Sequence, residues 1–132
     1  MKYMIMMHAP YGTGQYQIGE WDPEDLRAHI AFMHELNEEL NRAGEMVDGQ
    51  GLAPPGEARL VRADRNGEPM VTDGPFVETR EFLAGFWIVD VGGPERAFEI
   101  AGRVSMAPGP GGDPLHMEVE VRPVMEAPPT DG

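Results

Sequence analysis

The sequence predicts an α+β domain made of two β-α-β units that are joined by a hairpin. Three observations predict it: an apolar run of strand length precedes each of two helical patterns, an Asn-Gly turn signal lies between the two units, and an alternating segment closes the fold. With 132 residues, 41% of them apolar, the chain has the size of one ordinary domain. We therefore predict a single domain over residues 1–124 and a flexible tail over 125–132, whose composition is typical of disorder.

The first β-α-β unit begins with residues 2–8, KYMIMMH, an apolar run bounded by proline and glycine. A helix follows, because Asp22 can cap free backbone N–H groups and Pro23 suits the first helical position. Its apolar residues recur on one stripe, and Gly44 ends it. The segment 45–52, EMVDGQGL, is predicted as the second strand.

A hairpin is inserted after the first unit. Residues 58–61, ARLV, and residues 69–72 are short strand patterns, and Asn66-Gly67 between them is a strong hairpin-turn signal. The sequence DGPF at 73–76 then turns the chain toward the second unit.

The second unit begins with residues 83–91, which are almost wholly apolar, as a central strand covered on both faces would be. A second helix opens at Pro94. Residues 107–114 are rich in glycine and proline and form a loop, and residues 115–122, LHMEVEVR, alternate as a half-exposed strand does. The order of elements is that of the split β-α-β repeat of ferredoxin-like folds, with one inserted hairpin.

Such a fold leaves one face of its sheet without a helix. Right-handed crossovers place both helices on the same face of an antiparallel sheet. Because residues 2–8 and 83–91 are apolar on both faces, we expect a second copy of the chain to cover the open face. The predicted assembly is a homodimer in which two sheets face each other.

Charge and composition exclude several partners and chemistries. A formal net charge of −13, from 23 acidic and 10 basic residues, opposes binding to nucleic acid. No apolar run reaches the length of a membrane span and the N-terminal residues lack the features of a secretion signal, so we expect no membrane partner and a cytoplasmic location. The absence of cysteine excludes disulfides, thiolate nucleophiles and cysteine-ligated zinc.

Residues 72–91, TDGPFVETREFLAGFWIVDV, resemble the signature of the DGPF branch of the YCII-related family. The segments EELNRAGEMVDGQGL, EARLVR and EVRPV also fit the family pattern, so the resemblance covers about residues 2–124. It implies a dimeric ferredoxin-like α+β barrel. Some relatives are fused to sigma factors or encoded beside them, and a few members of the wider family are lyase-like enzymes that act on ring compounds.

In that wider family, a histidine on the first helix and an aspartate are the proposed acid/base pair, and the resemblance carries this pair over to His34 and Asp73. The first hypothesis is therefore a small-molecule enzyme, lyase- or isomerase-like, that transfers protons in a cleft near the DGPF turn. The alternative is a non-catalytic binding or regulatory module, associated with a sigma factor, whose acidic surface meets a basic protein.

Each of these two residues also has a structural interpretation. Asp73 precedes a glycine, where an aspartate commonly accepts backbone N–H bonds in a turn; as a general base it would need a buried position. His34 lies at the margin of the apolar stripe, where it is either a surface residue or a group that reaches a cleft. His29 falls inside the stripe and is predicted to be a buried, hydrogen-bonded core residue.

Four further residues are candidates for ligand binding. His8 ends a central strand, and Arg59 and Arg122 are cations suited to holding a carboxylate or phenolate. Glu78 belongs to the signature segment and fits the family pattern, and we predict it as a further binding residue. Ion pairing between the arginines and neighbouring glutamates is the alternative.

The sequence indicates neither a metal site nor a cofactor site. His29 and His34 are five residues apart, so they point about 140° away from each other on a helix. The glycine-rich loop YGTGQYQIG lacks the lysine and the helix of a phosphate-binding loop, so we interpret it as a mobile lid or an entry loop. Its Tyr11 and Tyr16, together with Trp21, are predicted to form a wall for an apolar small-molecule ligand.

Overall fold

The computed structural model describes residues 1–10, 18–74 and 80–126. The helices and strands in chain order are β1 (Lys2–Pro10), α1 (Pro23–Arg42), β2 (Met46–Gly51), β3 (Arg59–Ala63), β4 (Pro69–Asp73), β5 (Glu81–Asp90), α2 (Pro94–Ser105) and β6 (Val119–Pro123). In the part of the chain that the structure describes, neither helix is long and apolar enough to cross a membrane.

Four strands form an antiparallel sheet in the order β2-β5-β1-β6. The strands that open the two β-α-β units, β1 and β5, are its central pair: Ile5 lies opposite Trp87 on one side and opposite Val121 of β6 on the other. This strand order, with helices packed on one face, confirms the predicted α+β fold of the ferredoxin-like kind.

The core lies between the helices and the face of the sheet that carries the odd-numbered residues of β1. Side chains of a strand alternate between its two faces, so Tyr3, Ile5 and Met7 all point toward the helices and are buried. The largest fully buried side chains come from the central strands β1 and β5 and from both α-helices: Ile5, Leu36, Leu40, Val89, Ile100 and Val104.

Helix α1 begins at the predicted residue but is capped differently. Pro23 occupies its first turn, and the backbone carbonyl of Asp22 accepts the N–H of Leu26 at 3.1 Å, while the Asp22 side chain makes no capping hydrogen bond. Gly44 follows the helix with a φ of 71°, a left-handed conformation that glycine adopts readily.

Strands β3 and β4, with their connecting turn, form a separate two-stranded sheet that we call the β3–β4 arm. The predicted turn is confirmed: Gly67 has a φ of 82°, and Asp64 Oδ1 accepts the backbone N–H of Asn66 at 2.8 Å. Val61 and Val71 face each other across the arm and are 62% and 59% exposed. The arm therefore contributes little to the core.

The last strand is shorter than predicted. β6 begins at Val119, so the prediction of a strand over 115–122 was wrong for its first four residues. His116 has a φ of 50°, which interrupts an extended backbone, and the N–H of Leu115 donates to the carbonyl of Ala107 instead of to a neighbouring strand. The alternating pattern there reflects side chains packed along a loop.

The side of the sheet opposite the helices carries Met4, Met6, Phe86 and Ile88, which are partly exposed. Met4 pairs with Ile88 and Met6 pairs with Phe86, so these four side chains form a continuous apolar stripe across the two central strands. We call this stripe the outer face. It is the face that the sequence predicts a second copy to cover, and that homodimer stays a prediction.

The predicted boundary between domain and tail lies just after β6. The backbone N–H of Val124 still donates to the carbonyl of Lys2 at 2.9 Å, so backbone pairing with β1 extends to the predicted end of the domain. The described residues end at 126, and the rest of the predicted tail lies outside them.

Candidate functional site

A cleft lies between α1 and the edge strand β2, over the side of β5 that faces the helices. Its volume is about 320 Å³, which suits a small molecule. Most of its lining is apolar: Met7, Ile18, Ile30, Met33, Leu52, Ala84 and Trp87. We call this space the α1–β2 cleft, and its walls favour an apolar or aromatic ligand.

Helix α1 supplies one wall of the cleft because of its residue spacing. Ile30, Met33, His34 and Asn37 stand at positions i, i+3, i+4 and i+7, which places them on one side of the helix. Two of the four are polar, so the helix presents an imidazole and a carboxamide to an otherwise apolar space.

Asn37 is held in place by Trp87 of β5. The indole Nε1–H donates to Asn37 Oδ1 at 2.7 Å, and Trp87 is buried in the core. An indole nitrogen can only donate, so it must face the amide oxygen and not the amide nitrogen. The two N–H donors of Asn37 are therefore directed away from Trp87.

Two glycines, Gly85 and Gly51, lie on the sheet side of the cleft. At Gly85 an added Cβ would lie 3.0 Å from the carbonyl oxygen of Gln50, so β2 and β5 approach each other too closely for a side chain there. Gly51, opposite Gly85 on β2, differs, because an added Cβ would meet no atom within 4 Å. Since paired residues share a face of the sheet, Gly51 leaves open space on the cleft side.

His29 lies at the inner end of the cleft and is 5% exposed. Its Nδ1 is 2.9 Å from the carbonyl oxygen of Pro108, and because a carbonyl only accepts, Nδ1 carries the proton. Burial lowers the pKa of His29 below its ordinary value, and this hydrogen bond offsets part of the change. The ring is therefore neutral at pH 7, and the prediction of a buried, hydrogen-bonded histidine is confirmed.

His34 and Asp73, the two predicted catalytic residues, lie in different parts of the structure. His34 is exposed at the rim of the α1–β2 cleft and forms part of its lining. Asp73 ends β4 at the base of the arm, where its side chain is 94% exposed and its Oδ1 lies 3.5 Å from Arg59 Nε. Asp73 is not among the described residues that line the cleft. The described part of one chain thus does not bring the two together.

Arg59 is bound by the backbone around it. Its Nη1 donates to the carbonyl oxygens of Gly56 at 3.2 Å and of Ala58 at 2.8 Å. With the contact to Asp73, these bonds connect the two strands at the base of the arm. Among the described residues, the acidic contact of Arg59 is thus an aspartate and not one of the glutamates, and its role in ligand binding stays a prediction.

His8 borders a second, wider cleft of about 850 Å³, between the end of β1, helix α2 and the segment before β6. Its Nε2 lies 3.0 Å from Glu120 Oε1, and the other oxygen of Glu120 lies 3.6 Å from Arg122 Nε. The carboxylate of Glu120 on β6 therefore contacts both His8 and Arg122. Glu81 and Glu118 also line this cleft, next to apolar side chains such as that of Leu115.

Three predicted residues lie outside the described residues: Glu78 and the two tyrosines of the predicted lid, Tyr11 and Tyr16. Trp21, the third aromatic residue of the predicted wall, is described. Its ring meets that of His29 edge to face, with ring centroids 5.3 Å apart.

The described histidines and carboxylates do not form a metal centre. Within residues 1–10, 18–74 and 80–126, no three His, Asp or Glu side chains are grouped so that they could hold a metal ion. The functional groups that the α1–β2 cleft itself offers are imidazole and carboxamide, which transfer protons and donate hydrogen bonds.

Asn37, Trp87 and Gly51 were not among the predicted site residues. Asn37 carries a sequence signal, because a polar residue four positions after Met33 continues the cleft-facing side of the helix. The bond from Trp87 to Asn37 joins positions 50 residues apart, so no local pattern contains it.

The fold defines a ferredoxin-like α+β protein, with a cleft of small-molecule size between its first helix and an edge strand. The family model for the YCII-related domain matches residues 1–112, which include every described residue that lines this cleft. The chain belongs to the YCII-related family. An uncharacterised protein of Rhizobium meliloti (strain 1021) is 30% identical to it over 104 residues, which are 79% of each of the two chains.

Proposed function

We propose that this protein binds a small molecule in the α1–β2 cleft and moves a proton on it with His34, in a lyase- or isomerase-like reaction. The observation that carries the proposal is an imidazole at the rim of an apolar cleft of about 320 Å³. The family resemblance supports the reaction class, since a few relatives are lyase-like enzymes.

The chemistry follows from the residue types. An imidazole accepts a proton from one atom of a ligand and returns it to another near neutral pH. The apolar walls keep water from the bound ligand, which strengthens a hydrogen bond from Asn37 to it. Because His34 is exposed, solvent also reaches its ring. A transfer of this kind needs no cofactor.

Binding at the cleft is tested by a thermal-shift screen of phenols, quinones, ketones and small acids on three proteins. Gly51→Ala adds a methyl group to the open side of the cleft, where it meets no atom of the protein. Gly56→Ala makes the same change at a position that also has no atom within 4 Å and does not line the cleft. Ligands of the cleft raise the melting temperature of the wild type and of Gly56→Ala, and raise that of Gly51→Ala much less.

Proton transfer is tested on the ligands that this screen finds. In D₂O, the wild type exchanges a carbon-bound hydrogen of the ligand for deuterium, which NMR detects, and His34→Gln binds the ligand without exchanging it. The proposal would be refuted if ligands raised the melting temperature of Gly51→Ala as much as that of the wild type. It would also be refuted if deuterium exchange of the ligand persisted in His34→Gln.

Asp73 stays the second acid/base group that the resemblance predicts. Asp73→Asn removes its charge and keeps its shape. Slower exchange with unchanged ligand binding would assign Asp73 to proton transfer, and unchanged exchange would leave that role to His34.

A non-catalytic module that binds a basic protein, associated with a sigma factor, is the second candidate. The net charge of −13 supports it, since a strongly acidic surface attracts a basic partner. Co-purification from the native cell should then recover one defined protein, in an amount that falls as salt is raised. An interaction that is insensitive to salt contradicts this electrostatic form.

Two finer assignments complete the proposal. The segment TDGPF at 72–76 supports membership of the DGPF branch of the family. The apolar stripe of the outer face supports a homodimer in which two sheets face each other.

A further inference from the structure

The described walls of the α1–β2 cleft contain no permanently charged side chain. Charged residues make up 25% of the chain, yet no Asp, Glu, Lys or Arg is among the described residues that line this space. The ligand therefore finds no ion-pair partner at the described walls.

The neutral walls disfavour charged ligands of both signs. A carboxylate or phenolate would lose its hydration without gaining a lysine or arginine at the described walls, in a chain whose net charge of −13 already repels it. An ammonium group would be attracted by the whole chain but would find no carboxylate at the described walls. His29 supplies no compensating charge, because its buried ring is neutral at pH 7.

The polar group that the cleft does offer is a hydrogen-bond donor. The Trp87 indole occupies the oxygen end of the Asn37 amide at 2.7 Å, which leaves the amide nitrogen to face elsewhere. Asn37 lines the cleft, so its N–H groups are the complement of an acceptor on the ligand. His34 lies three residues earlier on the same helix, with Cβ atoms about 5–6 Å apart at that spacing.

We propose that the ligand of the α1–β2 cleft is an uncharged carbonyl compound whose carbonyl oxygen accepts a hydrogen bond from Asn37 Nδ2, with His34 beside the neighbouring carbon. This inference rests on the proposed function and names its substrate class. His34 takes a proton from the carbon next to the carbonyl, and the electron pair of the broken C–H bond forms an enolate whose oxygen Asn37 stabilises. Where the ligand has a double bond between its β- and γ-carbons, the enolate extends to the γ-carbon, and return of the same proton to that carbon yields the conjugated isomer with no gain or loss of atoms or electrons.

The test compares three probes of similar size: acetophenone, benzoate and benzylamine, which are neutral, anionic and cationic. Their dissociation constants are measured by NMR titration with the wild type, Asn37→Asp and Asn41→Asp. Asn37→Asp keeps an oxygen for the Trp87 indole but loses the N–H donors. Asn41→Asp makes the same charge change one turn further along α1, at an exposed residue that does not line the cleft.

The wild type should bind acetophenone about tenfold more tightly than either charged probe, which corresponds to about 1.4 kcal/mol. In Asn37→Asp, acetophenone should weaken about tenfold and benzylamine should become the preferred probe, because a carboxylate repels a carbonyl oxygen and attracts an ammonium group. Asn41→Asp should bind all three probes as the wild type does. Retention of the Trp87 indole N–H resonance in Asn37→Asp verifies that the variant is folded.

Two outcomes separate this inference from the proposed function. Wild-type binding of benzoate or benzylamine as tight as that of acetophenone, or an unchanged acetophenone affinity in Asn37→Asp, overturns the substrate class. If Gly51→Ala still weakens the bound probe, the cleft itself survives as the site. If Gly51→Ala has no effect on any bound probe, the cleft is not the site, and the proposed function falls as well.

Discussion

Gly85 and Gly51 lie opposite each other on β5 and β2, yet they differ in what a methyl group would meet. Gly85→Ala would press a Cβ against backbone atoms of β2 at 3.0 Å and should cost about 1–3 kcal/mol of unfolding free energy. Gly51→Ala should change it by less than about 1 kcal/mol, because its Cβ meets open space. Urea unfolding of both variants measures the difference. Equal losses of unfolding free energy would contradict the close approach of β2 to β5 at Gly85.

His29 makes the stability of the fold depend on pH. Burial lowers its pKa in the folded protein from the ordinary value of 6.5, so below that pH the unfolded chain binds more protons than the folded chain. The contribution of His29 to the free energy of unfolding is complete above pH 6.5 and is lost as the pH falls below that value. The loss is at most about 1.4 kcal/mol per pH unit and ends where the folded ring is protonated too.

The His29 effect is measured by urea unfolding at pH 7.5 and pH 5.5. His29→Asn keeps a donor for the Pro108 carbonyl and removes the titrating ring, so it should lose less stability than the wild type over this interval. His116→Asn is the matched control, because His116 is exposed, and this variant should follow the wild type. A wild-type curve that is flat between these pH values would contradict the buried neutral ring.

For single residues, the sequence predicted how buried the two histidines of α1 are, but it did not predict which other residues line the cleft. The wheel position of His29 predicted its burial, and that of His34 left a surface and a cleft position open. The sequence does not predict the role of Asn37, because its hydrogen bond to Trp87 depends on how α1 packs on β5. The site therefore follows from tertiary packing, which local patterns do not encode.

The β3–β4 arm is the element with the least support from the rest of the described fold. It is a two-stranded sheet whose valine pair, Val61 and Val71, is mostly exposed, and an isolated two-stranded sheet is marginally stable in water. Amide hydrogens of β3 and β4 should therefore exchange much faster than those of the central strands β1 and β5. Hydrogen exchange followed by mass spectrometry measures this. Arm protection equal to that of β5 would mean that a partner covers the arm in solution.

At the element scale, the sequence predicted the arm and both helices because their signals are local. Asn66-Gly67 defines the turn, and Pro23 and Gly44 mark the ends of α1. The strand predicted over 115–122 fails for the opposite reason. Residues 115–118 alternate in sequence but do not form a strand, because His116 has a positive φ and the N–H of Leu115 donates to the carbonyl of Ala107. That hydrogen bond forms only in the folded chain.

The whole molecule is predicted to pair through the outer face. Met6→Lys places an ammonium group between the Phe86 and Glu120 positions, where a single chain leaves it access to water and a carboxylate beside it. In the proposed dimer the same group would be buried, so the variant should be a folded monomer while the wild type is a dimer at micromolar concentration. Gel filtration with light scattering measures the mass.

Met125→Lys is the control for that experiment, since it makes the same change at an exposed residue after β6 and should stay dimeric. A wild-type protein that is a stable monomer at micromolar concentration would contradict the predicted homodimer.

We propose the α1–β2 cleft as the working site of the molecule. The most direct measurement is a map of backbone and side-chain N–H shifts, recorded by NMR as a ligand from the screen is added. We predict that the largest changes fall on the Trp87 indole N–H, the Asn37 amide and the backbone of Gly49 and Gly51. Changes centred instead on the arm near Asp73, or on the wider cleft beside His8, would contradict the account.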